Sequence, residues 1–356
     1  MSTNECGTPD GGLQCPLPIT DHPAVQLAHG AGGRLTQMLI EQLFLHSFDN
    51  PHLRKLHDGA LLDVNGSRLA FSTDSFVVHP LFFPGGDIGS LAVHGTVNDL
   101  AMCGALPVAL SVGLIIEEGL TMEELWRVTR SIGEAADRVG VPVVTGDTKV
   151  VDRGKGDGLF VNTTGFGRVA SGAEISPTRA RPGDLVLVSG SIAQHGIAIL
   201  SVREGLEFGT RLESDSAPLH DLVERIVGVA GERVHVLRDP TRGGVASALN
   251  EIAEAAAVGI RLDERSIPVG EAVRAACEML GLDPLYVANE GKCLAIVAEE
   301  VAEPVLEAMR EHPLGAEAEI IGNVVEDHPA KVVMRSVVGG TRVVDMLTGD
   351  PLPRIC

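Results

Sequence analysis

Leu106-Pro107-Val108-Ala109-Leu110-Ser111-Val112-Gly113-Leu114-Ile115-Ile116 is a nearly continuous apolar run, and Thr121-Met122-Glu123-Glu124 follows it closely. The first stretch reads as a nearly continuous apolar strand. In the second, Thr121 and Glu124 have capping-box spacing, so a helix opens there and runs to about Val139. Residues 141–145 return to a strand pattern. Strand, helix and strand in that order predict an α/β fold, and the pattern extends in both directions. Upstream, 35–48 carries apolar residues at helical spacing (Leu35, Met38, Leu39, Leu43), 68–74 reads as a strand and 88–103 as a second helix. Downstream, 159–169 is a further strand. The texture at 170–183 then changes to Ser, Gly, Pro and Arg, a linker signature. A second block follows, with strands expected at 185–189, 234–237, 293–298, 320–325 and 331–334. Helices are expected between them at 197–204, 219–229, 244–257, 269–280 and 301–311. A chain of 356 residues is long for one hydrophobic core. We therefore expect two lobes, 27–170 and 171–345, preceded by a disordered leader at 1–26 and followed by a mobile tail at 346–356.

A formal charge of −20 argues against a nucleic-acid partner, because phosphate backbones are held by clustered Lys and Arg. Aromatic residues make up 3% of the chain, too few for base-stacking platforms. No apolar run approaches a membrane span. The leader lacks a basic segment followed by an apolar one, so it does not read as a secretory signal. Of the six cysteines, none forms a CxxC pair, and a reducing cytoplasm is the expected compartment. Cys103, Cys277 and Cys293 sit among apolar or small residues and read as packed thiols. Cys6 and Cys15 have no ligand cluster beside them.

Cys356 stands apart. It closes Gly349-Asp350-Pro351-Leu352-Pro353-Arg354-Ile355-Cys356, where two prolines disfavour a helix and bias the tail toward an extended form. A buried core thiol is not expected at a chain end. The choice at this point lies between an incidental surface cysteine and a nucleophile or carrier sulfur on an arm.

The chemistry is carried by aspartates at strand ends or beside glycines: Asp58, Asp74, Asp87, Asp99, Asp147 and Asp239. One such residue is an ordinary cap or turn. Several converging carboxylates repel one another unless hard cations neutralise them, and Mg²⁺ commonly bridges such groups to phosphates. Helix 88–103 adds His94 and Asn98 one turn apart, followed directly by Asp99. His29-Gly30-Ala31-Gly32-Gly33-Arg34 precedes a helix and could let backbone N–H groups approach a phosphate, although it matches no nucleotide fingerprint. Arg238-Asp239-Pro240-Thr241-Arg242-Gly243-Gly244 is a stronger candidate for an anion or metal-phosphate loop. Glu290 lies in a turn, Asn289-Glu290-Gly291-Lys292. Lys149 follows Asp147 by two positions, so both point the same way on an extended segment.

Taken together, these segments resemble the HypE family of hydrogenase maturation factors over about residues 27–356. That family belongs to the superfamily of aminoimidazole ribonucleotide synthetase, selenophosphate synthetase and thiamine-phosphate kinase. The matching stretches are Gly30-Ala31-Gly32-Gly33, Ser72-Thr73-Asp74, Gly86-Asp87-Ile88-Gly89, Gly95-Thr96-Val97-Asn98-Asp99-Leu100, Thr145-Gly146-Asp147-Thr148-Lys149, Asp239-Pro240-Thr241-Arg242-Gly243-Gly244 and Asn289-Glu290-Gly291. The ending Pro353-Arg354-Ile355-Cys356 is what points to HypE within the superfamily.

The resemblance implies a two-lobed α/β fold like that of aminoimidazole ribonucleotide synthetase, a homodimer whose N-terminal domains share a barrel, and ATP with Mg²⁺ near that interface. It implies that Cys356 receives a carbamoyl group from the carbamoyltransferase HypF, and that the cyano product passes to a HypC–HypD complex. Carried over residue by residue, it assigns Gly32, Gly33, Asp74, Thr96, Asn98, Asp147, Thr241, Arg242 and Gly243 to the nucleotide. It assigns Asp58, Asp74, Asp99, Asp147 and Asp239 to the metal. Glu290 is the expected general base, and Lys149 the group stabilising developing negative charge. Two rivals exist. A selenophosphate synthetase would use an N-terminal thiol such as Cys6 or Cys15, and neither has the glycine-rich context beside a lysine. A metal carrier would need soft ligands, whereas the carboxylates are hard.

Overall fold

The computed structural model describes residues 24–206, 211–349, 352 and 354–356. Most of the expected leader, including Cys6 and Cys15, lies outside the described residues, as do Pro351 and Pro353 of the tail. A short helix α1 (Arg34–Leu39) passes through a π-helical segment into α2 (Leu45–Phe48), so the expected helix at 35–48 forms with altered winding in its middle. Then come β1 (Ala60–Val64), β2 (Ser67–Phe76), the two-residue strands β3 (Phe82–Phe83) and β4 (Gly86–Asp87), α3 (Ile88–Met102), β5 (Ala105–Glu117), α4 (Met122–Val139), β6 (Val143–Val151) and β7 (Leu159–Val169). Five of these strands make one sheet in the order β1-β2-β7-β5-β6, with only β5 and β6 parallel.

The helices of this lobe follow from local chemistry. Thr121 accepts from the Glu124 N–H while Glu124 returns a bond to the Thr121 N–H, so the expected capping box closes α4. Asp87 accepts from the Gly89 and Ser90 N–H groups at the start of α3. That explains Asp87 as a helix cap and separates it from the metal candidates. α3 is buried at fourteen of its fifteen positions, as expected for a helix covered on every side. The sheet packs on one side of it, α4 on another, and the second lobe on a third.

The second lobe contains β8 (Leu185–Val188), α5 (Gln194–Arg203), α6 (His220–Ala230), β9 (Val234–Arg238), α7 (Gly244–Ala256), β10 (Gly259–Asp263), α8 (Glu271–Leu280), β11 (Leu294–Val297), α9 (Ala302–Arg310), β12 (Glu319–Val325), β13 (Lys331–Arg335) and β14 (Thr341–Val344). Its seven strands run in the order β14-β13-β10-β12-β8-β11-β9. Val186, Val188, Val236, Leu294 and Ile296 face one apolar cluster, with residues of α5, α7 and α8. Leu187, Leu237, Ala295 and Val297 face another, with residues of α6 and α9. Burial on both faces is why these strands read as unbroken apolar runs.

The α/β organisation holds, but most strand pairs in both sheets are antiparallel. Antiparallel neighbours do not bring their carboxyl ends to one edge. The expectation of carboxylates gathered at strand ends therefore needs correction: Asp99 lies in α3, Asp147 within β6 and Asp74 within β2, and Asp239 alone directly follows the last residue of a strand. Among the described residues, no helix is long and apolar enough to cross a membrane.

Candidate active site

Asp58, Asp99 and Asp239 converge where β1, α3 and β9 meet, each offering a carboxylate oxygen within 4.8 Å of the others. Ser72 donates to Asp99 Oδ2 at 2.6 Å. Arg238, the last residue of β9, pairs with Asp58 Oδ1 at 2.7 Å and also with Glu251. Asp58 Oδ2 is buried with no hydrogen-bond partner. Burial and Asp58 push Asp239 up to about 8. Burial, helped by Asp239, Asp74 and Asp58, holds Asp99 well above the carboxylate range against the opposing Ser72 bond. One arginine cannot neutralise three converging acids. The site therefore has unmet demand for positive charge, in a set of hard oxygens suited to Mg²⁺, and Asp58 Oδ2, with His57 Nδ1 3.5 Å away, still lacks a hydrogen bond.

Glu290 is buried, and its Oε1 has no partner. Burial, then Asp239, Asp74 and Asp215, raise its pKa well above that of a free glutamate, while Arg242 opposes. Its backbone is fixed from two sides: the N–H donates to Asp215 Oδ1 at 3.1 Å, and the carbonyl accepts from Asn98 at 3.2 Å. A Cβ at Gly291 would collide with the Asp215 carbonyl, so the turn must carry glycine there. Lys292 pairs with Asp215 at 3.3 Å.

The tail enters this region. Cys356 is buried, with an exposure of 8%, contrary to the expectation that a terminal thiol would lie free. The difference arises because the last residues dock on the body instead of fraying. Burial raises the thiol pKa, Arg242 opposes, and Glu290, Asp74 and Asp239 raise it further. The sulfur is therefore held as a thiol among acids, a poor setting for a free thiolate and an acceptable one for a neutral thioester-like group. Beside it lies a cavity of about 60 Å³ lined by Gly30, Ala31, Arg242, Gly243 and Ala288 among others. That volume suits a group of a few heavy atoms. Pockets for whole ligands run to about 300–1,000 Å³.

The other expected site residues divide. Gly32, Arg242 and Gly243 come together, while Gly33 abuts Leu347: Arg242 donates to the Gly30 carbonyl at 3.0 Å, and a Cβ on Gly32 would lie 2.7 Å from the Arg242 carbonyl. These glycines thus permit two loops to touch, and Thr241 is half-buried beside them. Asp74 adjoins the cluster, with burial raising its pKa and Arg242 opposing. Thr96 and Asn98 were assigned to a nucleotide, but their polar atoms are used inside the protein. Thr96 Oγ1 bonds Thr163 Oγ1 at 2.5 Å. Asn98 donates to the Ala217 and Glu290 carbonyls and accepts from the Leu219 N–H. Asp147 and Lys149 lie exposed on β6, joined to each other at 2.6 Å, and Lys149 alone heads the influences that lower Asp147. Within one chain they stand apart from the carboxylate cluster.

Sequence reasoning missed Arg238 as the counter-ion, although it stands directly before Asp239. It also missed Asp215, and Asn289, which accepts from Ala193 N–H and donates to the Pro240 and Val287 carbonyls. The signals for Asn289 are its place beside Glu290 and its inclusion in the family-like stretch Asn289-Glu290-Gly291.

Residues 56–169 match the N-terminal domain, and residues 181–335 the C-terminal domain, of AIR synthase related protein. The carbamoyl dehydratase HypE of Cupriavidus necator is 55% identical over 351 residues, covering 98% of this chain and 99% of that protein. A crystal structure of the hydrogenase maturation protein HypE in complex with ATP is 52% identical, with a TM-score of 0.79 over 94% of this chain and 100% of that one. A HypE–HypF complex is 48% identical, with a TM-score of 0.83, over 87% and 99%.

Proposed function

The chain belongs to the HypE family of carbamoyl dehydratases, on the AIR synthase related fold, and from that membership we propose how its residues perform the reaction. It is an ATP-dependent enzyme that dehydrates a carbamoyl group carried on Cys356 to a thiocyanate, the source of a cyanide ligand in [NiFe]-hydrogenase maturation. The observation that carries this reading is the docking of Cys356 beside Arg242, Glu290 and the carboxylate cluster, next to a cavity of carbamoyl size.

A thiocarbamate does not readily lose water, because its oxygen is a poor leaving group. Transfer of the γ-phosphoryl group of ATP to that oxygen breaks the bond to ADP and forms an O-phosphorylated intermediate. Loss of the N–H protons with expulsion of phosphate leaves S–C≡N. The balance is thiocarbamate plus ATP giving thiocyanate, ADP, phosphate and one proton. Arg242, which faces Asp74, Glu290 and Cys356, neutralises charge developing on the oxygen. Glu290 accepts an N–H proton, and its raised pKa makes it a stronger base once ionised. Mg²⁺ held by Asp58, Asp99 and Asp239, with Asp74 adjoining, would screen the phosphates and orient transfer.

Asp147 and Lys149 join this scheme across a homodimer. β6 is an edge strand with Val143, Val144 and Val150 exposed, and Val108, Ile115, Phe71 and Phe166 are exposed on its sheet. An exposed edge beside so much apolar surface favours pairing with a second copy, and the polar groups of β6 would then meet the partner's site. A carbamoyltransferase of the HypF type loads Cys356, and a HypC–HypD complex in the cytoplasm accepts the product.

Glu290→Gln tests the base. Single-turnover dehydration should fall by about 10²–10⁴-fold with loading of Cys356 intact. An unchanged rate would exclude Glu290 from proton removal.

A further inference from the structure

We propose that His195 is the positioning residue that sets how deeply the Cys356 thiol enters the site. The proposal rests on the reading of Cys356 as the carrier. The main-chain oxygens of the last three residues, that of Cys356 being a carboxylate oxygen, all accept from the body of the protein. Arg354 O accepts from the His79 N–H at 3.3 Å and from Arg203 Nη2 at 2.7 Å, and Cys356 O accepts from the Val77 N–H at 3.0 Å. Residues 354 and 356 thus bond to the segment just after β2, with the chain turning at Arg354, whose φ is +57°. Ile355 O, between them, bonds elsewhere, and its donor is His195 Nε2 at 2.8 Å.

His195 is built to make that one contact. It lies at the start of α5 with no exposure to solvent. A carbonyl only accepts, so Nε2 carries the hydrogen. In the neutral ring Nδ1 then accepts from the Ser214 hydroxyl, 2.8 Å away, and Ser214 Oγ itself accepts from the Ser216 N–H at 3.1 Å. Burial keeps the imidazole on the neutral side. The edge of the Phe83 ring meets it at a centroid distance of 5.7 Å and 89°, holding its plane. Every feature of the ring is fixed except its partner, a carbonyl one residue from the reacting sulfur.

That bond exists only while the tail is docked. Without it, the docked state alone carries a buried unpaired carbonyl. When the chain end reaches out to a carbamoyl donor or product acceptor, the bond is already broken. His195 should therefore govern the step performed inside the site and leave loading untouched.

The test uses the full chain and two fold-preserving variants. His195→Asn keeps a polar group near Ser214 but is too short to reach Ile355, whereas His195→Gln places an amide N–H as many bonds from the backbone as Nε2. For His195→Asn, iodoacetamide labelling of Cys356, followed on its own peptide by mass spectrometry, should accelerate about tenfold. Single-turnover dehydration should slow by a similar factor, while ATP affinity and the rate of loading by the carbamoyltransferase stay at the wild-type values. His195→Gln should recover most of both changes. Equal behaviour of the Asn and Gln variants, or wild-type labelling and dehydration in the Asn variant, would overturn the proposal. If Cys356 were not the carrier, the labelling difference would persist while no carbamoyl adduct formed in any variant, which separates that failure from this one.

Discussion

The side-chain amide of Asn98 donates to the backbone carbonyl of Glu290 at 3.2 Å, tying the central helix of one lobe to the reactive turn of the other. The same side chain donates to the Ala217 carbonyl and accepts from the Leu219 N–H. Asn98 is fully engaged as a clamp, and its removal strands three backbone groups, two of them buried. Asn98→Ala should cost about 2–4 kcal/mol of stability in chemical denaturation. A loss below about 0.5 kcal/mol would show that the clamp is replaceable by water.

The carboxylate cluster predicts a linkage between protons and metal. Asp239, Asp99 and Glu290 all have folded-state pKa values raised by burial and by one another. A raised carboxyl pKa favours the folded state while the group is protonated. That stabilisation is fully present below the unfolded value of about 4 and is lost as pH rises through the folded value, about 8 for Asp239. Metal-free protein should therefore lose Tm between pH 5 and pH 8, with Asp239 alone contributing up to about 1.4 kcal/mol per pH unit. Added Mg²⁺ should raise Tm more at pH 8 than at pH 5. An increment independent of pH would mean that the metal does not sit on these acids.

How much of this is legible in the sequence depends on the range of the interaction. The strand–helix–strand of 106–145 is readable because its signals, an apolar run and the Thr121–Glu124 box, are local. β1, β10 and β14 are not readable, because Asp63, Arg261 and Arg342 interrupt short segments that become strands only through tertiary pairing. In the site, Asp58, Asp99 and Asp239 are recognisable by residue type and glycine context. Asp215 and His195 are not, since their partners Glu290 and Ile355 lie 75 and 160 residues away. Asn98 shows the converse limit: its motif is visible, and only the structure shows that its bonds are spent internally.

Lys149 poses a question of cis or trans. It pairs with Asp147 on an exposed edge strand, away from Cys356 of its own chain. If it acts on the partner's tail, a heterodimer of Lys149→Ala and Cys356→Ala subunits retains one intact site. Mixing the two inactive variants under subunit exchange should then restore up to about half the activity per intact thiol. Action within one chain predicts no recovery.

The central claim is that Cys356 carries the group that is dehydrated. The most direct measurement is the mass of the peptide ending in Cys356, taken from carbamoylated protein before and after Mg-ATP. The account predicts an adduct on that thiol that loses the mass of one water only when ATP is present, with ADP formed in equal amount. An adduct unchanged by ATP, or ATP turnover with Cys356 never modified, would contradict it.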